Sequence, residues 1–381
     1  MNSQRKNVLV LPELFPKDDK DWTGVFVVDY LAAIKPYTQL WVFYSRLTGD
    51  SQKVTKESFR GCFDVYRWSY KKKVNKLLKP LFYVLWFHHT IKQVIAQDRT
   101  IDIIHSHGTI LNGTLAYLLS RKLRVPFVIT EHTGPFSKIS KPFVKRHWAK
   151  FILKRADKVF AVSNHLKNEI VQIGVSSSQV QVTFNPVDTE LFYLDKVEKS
   201  NKNILFVSRL EPFKGGLRTV KAFHKFSQLH ADWGLTLCGE GPEKQAIIDY
   251  IRKNSLQHRV LLKGMLTKLE YHHELSCSDF LVFPSLHESF GLIPVEAMSS
   301  GLPIIAINSS AMPEYIHQSN GILLQTDSIE ELTDAMLEMV GSLGNYKPSD
   351  IRREVVERFG IDNFGRKLVI DYESVIKRFK R

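Results

Sequence analysis

Short apolar runs alternate with helical patterns along the whole chain, and this alternation restricts the fold more than any other feature. In the first half the runs cover residues 8–11, 40–44, 101–105, 127–130 and 159–162. The series restarts with runs at 204–207, 235–238, 260–262, 280–283, 304–307 and 322–324. Strands that alternate with helices indicate a parallel sheet covered on both faces. Two such series within 381 residues predict two α/β domains.

A polar stretch, FNPVDTELFYLDKVEKSNKN (184–203), separates the two series. We therefore predict a first domain over residues 1–190 and a second over residues 191–362. Residues 363–381 carry one long amphipathic pattern. We expect this C-terminal segment to form a helix that packs back on the first domain.

The net charge of +14 lies entirely in the first half of the chain. Residues 1–190 hold 29 Lys and Arg against 15 Asp and Glu, whereas residues 191–381 hold 24 of each. Such an excess attracts nucleic acid or an anionic membrane surface. Because no recognisable nucleic-acid-binding module accompanies the charge, the pattern favours the membrane surface.

Two segments of that half join basic and aromatic residues. Residues 71–92 combine a lysine cluster with the apolar run 81–87. Residues 138–158 predict a helix after Pro142, with one face formed by Phe143, Val144, Trp148, Phe151 and Ile152. Basic and aromatic residues on one helix are typical of membrane interfaces. In the alternative interpretation, both apolar faces pack into the domain core and the lysines face water.

Three further features bear on the cellular compartment. No apolar run approaches the ~20 residues that a membrane-spanning helix needs. The N-terminal sequence MNSQRKNVLVLPELF is typical of a first strand and not of a signal peptide. The three scattered cysteines, Cys62, Cys238 and Cys277, form no metal-type pair and favour a reducing cytoplasm.

The segment VFPSLHESFGLIPVEAMSSGLPIIA (282–306) predicts a binding site for a sugar nucleotide. A strand-like run ends in a loop with Glu288, and a helix begins near Pro294 with Glu296 in its first turns. The N–H groups of residues 290–293 have no internal acceptor at a helix start and can bind anionic oxygens. The two carboxylates can accept hydrogen bonds from hydroxyl groups. Two nearby carboxylates would repel a phosphate, so the pattern does not suit a site for phosphate alone.

Other polar residues follow the predicted strands, where ligands of open α/β sheets bind. In SRLEPFKGG (208–216), Arg209 and Lys214 precede a helix start and suit a diphosphate, although two surface cations beside a loop are a common alternative. GEGPEK (239–244) lacks the third glycine of a dinucleotide fingerprint and is equally well a tight turn. The backbone of KGMLT (263–267) could contact a base.

In the first half, Gly24 precedes a helix and allows close approach of a phosphate. His105 and His107 lie two residues apart, but no third ligand has suitable spacing, so we predict no metal site. His132 and Ser163 follow predicted strands and could contact a polar ligand, while a structural role is equally open for His105.

Together these motifs resemble the large group of retaining GT-B glycosyltransferases of the family-four type. The resemblance covers nearly the whole chain in order: Gly24, HSHG (105–108), TEHT (130–133), ADKVFAVS (156–163), NPVDTELF (185–192), SRLEPFKGG, GEGPEK and HESFGLIPVEAMSSGLPIIA. It implies two Rossmann-like domains whose parallel sheets face each other across a cleft.

The resemblance also implies residue roles. Arg209 and Lys214 would neutralise the donor diphosphate, Glu296 would accept from ribose hydroxyls, and Glu288 and His132 would contact the transferred sugar. We assign His132, Arg209, Lys214 and Glu288 as catalytic, and His107 and Ser163 to the acceptor side. The expected donor-binding residues are Gly24, Ser208, Gly215, Gly239, Gly264, Met265, Leu266, Ser289, Phe290, Gly291, Leu292, Ile293 and Glu296. Pro186 and Ser208 replace glycines that the family often has.

The expected reaction is transfer of a hexose-type sugar from a nucleotide diphosphate sugar, UDP- or GDP-linked, to a hydroxyl acceptor by front-face substitution. It requires neither a metal nor a resident cofactor. The basic first domain predicts a lipid-linked or bacterial envelope glycan acceptor, as in polysaccharide or lipopolysaccharide assembly, at the cytoplasmic face of the inner membrane. Two alternatives stay open: a nucleotide-sugar epimerase of the same fold, and a non-catalytic protein that binds anionic surfaces.

Overall fold

The computed structural model describes residues 5–17, 21–47, 53–59, 63–70, 89, 100–195 and 202–380, and all structural statements concern these residues. The chain forms two compact units. The first comprises Met1–Pro186 and Ile361–Arg381, and the second comprises Val187–Gly360. Each unit is built on one sheet with helices connecting its strands. The predicted pair of α/β folds is thereby confirmed.

The first unit contains an eight-stranded sheet with the order β3-β4-β2-β1-β5-β6-β7-β8. Its strands are β1 (Lys6–Pro12), β2 (Thr38–Leu47), β3 (Lys53–Phe59), β4 (Phe63–Tyr70), β5 (Ile103–His107), β6 (Phe127–Glu131), β7 (Lys158–Ala161) and β8 (Val180–Val182). Neighbouring strands are parallel except β3 and β4, which pair antiparallel. The apolar runs did not predict β3, β4 or β8, because their sequences KVTKESF, FDVYRWSY and VQV are short or interrupted by charges.

The helices of this unit are α1 (Val25–Ile34), α2 (Leu111–Leu123), α3 (Ser137–Ser140), α4 (Phe143–Leu153), α5 (Asn164–Gln172) and the C-terminal α12 (Ile361–Phe379). Pro142 separates α3 from α4, and the helix predicted after this proline is α4, which ends at Leu153. The basic segment at residues 71–92 lies outside the described residues except for His89.

Helix α12 packs on the first unit although it is last in the chain. The Phe364 and Tyr30 rings meet edge to face at 4.5 Å. Asp371 accepts from Lys158 at 2.5 Å and from Gln181 at 2.8 Å, which ties the helix to β7 and β8. Apolar residues on the same helix join the core of this unit.

The second unit contains six parallel strands in the order β11-β10-β9-β12-β13-β14. They are β9 (Lys202–Val207), β10 (Trp233–Cys238), β11 (Val260–Gly264), β12 (Phe280–Phe283), β13 (Ile304–Ile307) and β14 (Gly321–Leu324). The helices are α6 (Gly216–Leu229), α7 (Lys244–Lys253), α8 (Lys268–Ser276), α9 (Leu292–Ser299), α10 (Ile329–Ser342) and α11 (Pro348–Phe359).

Each sheet has a point at which the direction of winding reverses. In the first unit, β1 lies between β2 and β5. In the second unit, β9 lies between β10 and β12. The loops that leave such neighbouring strands diverge, and the crevice between them is where open α/β sheets bind ligands. We therefore expect ligand sites at two places: the loops after β1 and β5, and the loops after β9 and β12.

None of the described helices has both the length and the apolar character needed to cross a bilayer.

The contact between α12 and α1 gives a stability prediction. A Cβ on Gly365 would lie 2.0 Å from the Ala33 carbonyl oxygen, whereas a Cβ on Gly341 would have no atom within 4 Å. We expect Gly365→Ala to lower the free energy of unfolding by about 1–3 kcal/mol through overpacking. Gly341→Ala, the matched control, should raise it by about 0.5–1 kcal/mol because a helical glycine is replaced. Urea unfolding of the two variants measures the difference, and equal stabilities would contradict the tight contact.

Candidate active site

Four loops that contain predicted donor residues leave adjacent strands of the second unit. They follow β11, β10, β9 and β12, whose carboxyl ends share one edge of the sheet. The loops comprise residues 265–267, 239–243, 208–215 and 284–291. The fold thus brings together segments that are far apart in the sequence.

The first three loops are joined through their backbones. Ser208 N–H donates to the Cys238 carbonyl at 3.1 Å, and Gly239 N–H donates to the Gly264 carbonyl at 2.7 Å. Gly239 has φ +144°, and a Cβ there would lie 1.8 Å from the Ser208 oxygen. Gly239 is therefore required for the contact between the loops. Packing between the loops thus explains why residue 239 is a glycine. The predicted contact of Gly239 with the donor stays a prediction.

The loop after β9 places Lys214 against Glu288 of the loop after β12. Lys214 Nζ donates to Glu288 Oε1, and the two side chains are only 12% and 14% exposed. A second link is the hydrogen bond from Leu286 N–H to the Phe213 carbonyl at 2.9 Å. The ion pair thus lies at the point where the sheet reverses its winding. Two of the residues predicted to be catalytic are in direct contact.

Arg209 lies on the same loop but is exposed. Its guanidinium forms no hydrogen bond or ion pair with any other residue in the described ranges. A guanidinium in this state can bind an anion without first breaking a contact within the protein. This arrangement is compatible with the predicted diphosphate contact.

A buried tyrosine fixes the backbone at the start of α9. Tyr315 Oη donates to the Phe290 carbonyl at 2.6 Å and to the Gly291 carbonyl at 3.2 Å. Burial raises the pKa of Tyr315 well above its ordinary value, so the hydroxyl remains a donor. Gly291 has φ +85°, and a Cβ there would lie 2.6 Å from Met312 Cε. Within the described chain, the N–H groups of Gly291, Leu292 and Ile293 have no protein acceptor, as expected at a helix start.

Glu296 lies inside α9 and is 2% exposed. The Tyr271 hydroxyl donates to the Ile293 carbonyl at 3.1 Å, on the same turn of the helix. Burial, and then the charge of Glu296, raises the pKa of Tyr271 well above its ordinary value. The remaining predicted donor residues differ in exposure: Ser289 is half-buried, and Met265 is exposed beside Leu266.

Arg218 is a residue of this site that the sequence reasoning missed. Its Nη2 donates to the Pro284 carbonyl at 2.8 Å, and its Nη1 pairs with Asp327 at 2.6 Å. A Cβ on Gly215 would lie 2.7 Å from Arg218 Nη2, so the glycine makes room for the guanidinium. Arg218 lies four residues after Lys214, in the first turn of α6, and this second cation near the helix start was the signal available in the sequence.

In the first unit, the loops after β1 and β5 bring Glu13 against Gly108. Glu13 N–H donates to the His107 carbonyl at 3.1 Å. Gly108 has φ +103°, and a Cβ there would lie 2.1 Å from Glu13 Oε2. Burial, and then the charge of Glu131, raises the pKa of Glu13. Glu13 also was missed, because a single carboxylate after a strand has no distinctive spacing.

Three histidines form a stack beside this point. The ring centroids of His105 and His107 are 4.4 Å apart, and those of His107 and His132 are 5.2 Å apart. His107 Nδ1 and His132 Nε2 are hydrogen bonded at 2.9 Å. His105 contacts the Tyr372 hydroxyl of α12 at 2.5 Å and Thr130 Oγ1 at 2.7 Å. His105 is therefore structural, while half-buried His132 is the outermost ring.

The histidines of the stack are neutral at physiological pH. Burial lowers the pKa of His107 to about 3. Burial and the neighbouring His107 lower the pKa of His132 well below its ordinary value, and His105 is shifted in the same direction for the same reasons. A neutral imidazole can both donate and accept a hydrogen bond.

Glu131 fixes the turn that carries His132. Its buried carboxylate accepts from the N–H groups of His132 at 2.9 Å and Thr133 at 2.8 Å, and from the Thr109 hydroxyl. The carboxylate thus orients the loop after β6, and His132 is positioned by it.

Ser163 and Gly24 have structural explanations. Ser163 is fully buried, and its hydroxyl caps α5 by accepting from Leu166 N–H at 3.1 Å. Capping thus explains the buried hydroxyl of Ser163, and its assignment to the acceptor side stays a prediction. Gly24 has φ +74°, and a Cβ there would lie 2.4 Å from the Leu14 carbonyl, so its glycine is needed for packing of the loop before α1.

No group of three or more His, Cys, Asp or Glu side chains suited to a metal ion occurs in the described part of the chain.

Comparison with known proteins gives matches over both units. Residues 192–343 match the family described as Glycosyl transferases group 1, and residues 43–191 match Glycosyltransferase Family 4. An uncharacterized glycosyltransferase of Methanocaldococcus jannaschii is 29% identical over 257 residues, which is 67% of this chain and 70% of that protein. The N-acetyl-alpha-D-glucosaminyl L-malate synthase of Bacillus anthracis is 27% identical over 295 residues, covering 74% and 76%.

Among solved structures, Anabaena HepE in complex with UDP superposes with a TM-score of 0.77 at 17% identity. The match covers 97% of this chain and 100% of that one. The two sheets and these matches define a glycosyltransferase of the GT-B fold. Within that class, the chain belongs to the glycosyl transferases group 1, of the family-four type.

The buried histidines predict a pH dependence of stability. The pKa of His105 and His107 is lowered in the folded state, so the unfolded chain binds more protons once the pH falls below about 6.5. Their contribution is complete above that pH and declines below it, by about 1.4 kcal/mol per pH unit for each histidine. Urea unfolding at several pH values from about 7.5 to about 5.5 should show this slope.

The variant His107→Gln should have a smaller slope than the wild type by about 1.4 kcal/mol per pH unit. The exposed His258 provides the matched control, and His258→Gln should leave the slope unchanged. An unaltered slope in His107→Gln would show that this imidazole is not held neutral.

Proposed function

We propose that the protein transfers a hexose-type sugar from a nucleotide diphosphate sugar to a hydroxyl acceptor, with retention at the anomeric carbon. The observation that carries this proposal is the Lys214–Glu288 pair beside the open start of α9. A cation, free N–H groups and a carboxylate lie together at one point of the sheet. A diphosphate needs the first two, and sugar hydroxyls need the third.

On this proposal the donor diphosphate replaces Glu288 as the partner of Lys214. In the absence of donor, Glu288 holds the Lys214 ammonium in place, and the pair carries no net charge. A diphosphate brings a greater negative charge and can accept from Lys214, from Arg209 and from the N–H groups of residues 291–293. The Glu288 carboxylate is then available to accept hydrogen bonds from hydroxyl groups of the sugar.

The remaining roles follow the resemblance. Glu296 would accept from the ribose hydroxyls, and the loop around Met265 and Leu266 would contact the base. His132 would donate to the transferred sugar as a neutral imidazole. UDP- and GDP-sugars are the donors we propose, and the UDP complex of the similar Anabaena protein supports a uridine nucleotide.

The chemical step we propose is a front-face substitution. The bond between the anomeric carbon and the diphosphate oxygen breaks, and a bond to the acceptor oxygen forms on the same face. The leaving diphosphate oxygen takes the proton of the acceptor hydroxyl, so no separate base is required. Lys214, Arg209 and the α9 N–H groups stabilise the charge that develops on the diphosphate. The protein supplies this field itself, and we propose that it needs neither a metal nor a resident cofactor.

For the acceptor we propose an anionic or lipid-linked glycan of the bacterial envelope, reached by peripheral association with the cytoplasmic face of the membrane. The positive charge of the first 190 residues supports an anionic partner. The Bacillus anthracis relative is named for a product of L-malate, which is itself an anion at neutral pH. These two facts support the charge of the acceptor.

Donor binding can be measured without knowing the acceptor. A ligand that binds the folded protein raises its melting temperature by mass action. We expect one of UDP, GDP, ADP and dTDP, and its sugar conjugates, to stabilise the wild type. A protein that no nucleotide stabilises would contradict the proposal.

The Lys214 ammonium is the group most directly tested by substitution. With the stabilising donor, we expect Lys214→Ala to slow transfer to acceptor or water by about 100-fold or more and to weaken nucleotide binding by about 10-fold. The matched control is Lys225→Ala in α6, the helix that follows Lys214, where the exposed side chain pairs with Glu330 at 2.6 Å. Lys225→Ala should match the wild type, and wild-type turnover in Lys214→Ala would exclude the assigned role.

A further inference from the structure

We propose that the exposed surface formed by α2 and α4 binds the headgroups of anionic phospholipids. The proposal deepens the function above, on which it rests for its biological purpose, by identifying the element that contacts the membrane. We define the docking surface as Leu111, Leu118, Phe143, Val144 and Trp148 with the lysines and arginines around them.

The start of α4 exposes large apolar side chains. Phe143 is 75% exposed, Val144 is 78% exposed and Trp148 is 43% exposed. The helix attaches to the unit through Ala149, Ile152 and Leu153 near its C-terminal end, which are fully buried. The apolar residues of α4 therefore form two groups, and only the second belongs to the core. Packing among the described residues of this unit does not explain the first group.

Helix α2 extends this apolar surface. Leu111 and Leu118 are 38% and 44% exposed and lie two turns apart on one face of α2. Thr114 lies between them on that face, and its hydroxyl accepts from Trp148 Nε1 at 2.9 Å. The bond holds the indole beside α2, so Trp148 links the exposed apolar residues of the two helices. An exposed apolar patch of several large side chains indicates an interaction site.

The charge along this segment is predominantly positive, and the exposed Asp157 follows its end. Between residues 103 and 156 the chain has ten lysines and arginines and one acidic residue, Glu131. Glu131 is fully buried, whereas every one of these cations except half-buried Lys150 is exposed. The exposed cations are Arg121, Lys122, Arg124, Lys138, Lys141, Lys145, Arg146, Lys154 and Arg155.

Apolar and basic side chains on one surface complement an anionic leaflet. The hydrocarbon parts of Phe143, Val144 and Trp148 can enter the boundary of the acyl chains, while the cations contact the phosphates. A protein partner would need a matched apolar and acidic surface, and nucleic acid would leave the aliphatic side chains in contact with phosphate. The membrane surface is the partner that uses both parts of the patch.

The docking surface lies near the candidate acceptor residues of the first unit. Helix α2 begins four residues after His107, and α3 and α4 follow the loop that carries His132. Both helices thus extend from the sheet edge where the stacked histidines end. A lipid-linked acceptor in the leaflet would be held beside these residues.

Vesicle co-sedimentation of the full-length protein tests the proposal. We expect the wild type to bind phosphatidylcholine vesicles that contain about one third phosphatidylglycerol, to bind pure phosphatidylcholine vesicles poorly, and to lose binding as salt rises. Phe143→Ser/Val144→Ser and Lys145→Gln/Arg146→Gln should each weaken binding by about 10-fold or more. None of these four residues contributes to the buried core, so the variants should melt like the wild type.

Matched substitutions in the second unit control for general effects of apolarity and charge. Leu229 and Leu269 are 73% and 71% exposed, and Leu229→Ser/Leu269→Ser should bind vesicles like the wild type. Arg252→Gln/Lys253→Gln, also at exposed positions, should do the same. A third readout is quenching of tryptophan fluorescence by brominated lipid, which Trp148→Phe should reduce if the indole enters the leaflet.

Each outcome has a defined meaning. Failure of the wild type to bind anionic vesicles would overturn the proposal, and so would full binding by both docking-surface variants. Binding to DNA with steep salt dependence, without binding to vesicles, would assign the surface to nucleic acid instead. Stabilisation of the same proteins by nucleotide is measured separately, so failure of the membrane proposal is distinguishable from failure of the proposed function.

Discussion

The ion pair between Lys214 and Glu288 is the interaction on which the donor half of the site depends. Two charges at this low exposure are stable only as a pair, because either alone would lose hydration without compensation. The pair therefore fixes the loops after β9 and β12 relative to each other, with the Leu286–Phe213 hydrogen bond as a second link. Arg218 holds the second of these loops from the side of α6. The Lys214 ammonium is thus held in place by an anion that belongs to the protein, and in the proposed function a ligand anion replaces it.

The parts of this site that sequence could predict are those that depend on local chemistry. Apolar runs located the six strands of the second unit, because buried parallel strands are continuously hydrophobic. Residues before a helix start, such as Gly291, could be assigned because the geometry of such a start is set by a few residues. Lys214 and Glu288 were both predicted as ligand contacts. Their mutual pairing was not, since it follows from strand order, which brings together residues 74 positions apart.

The first unit was predicted less completely for the same physical reason. The stack of His105, His107 and His132 is supported by Tyr372, which lies 267 positions away from His105 in α12. The Glu13 carboxylate occupies the space that a side chain at position 108 would fill, so its position depends on Gly108. For α4 the periodicity left open whether the apolar face lies at the surface or in the core, because it identifies apolar positions but not what covers them. Phe143 and Ile152 both fit the pattern, and only Ile152 is buried.

Neutral histidines beside a strongly positive surface have a chemical consequence for the proposed reaction. A front-face substitution develops positive charge at the anomeric carbon, and a nearby cation would oppose it. His132 can donate a hydrogen bond without adding charge, because burial and its neighbour His107 keep the imidazole deprotonated. Lys145 and Arg146 of α4 are exposed, and water and salt screen charges in such positions. Burial thus separates the neutral imidazoles of this unit from its exposed cations, so the proposed contact with the sugar would add no charge while the surface of the unit stays positive.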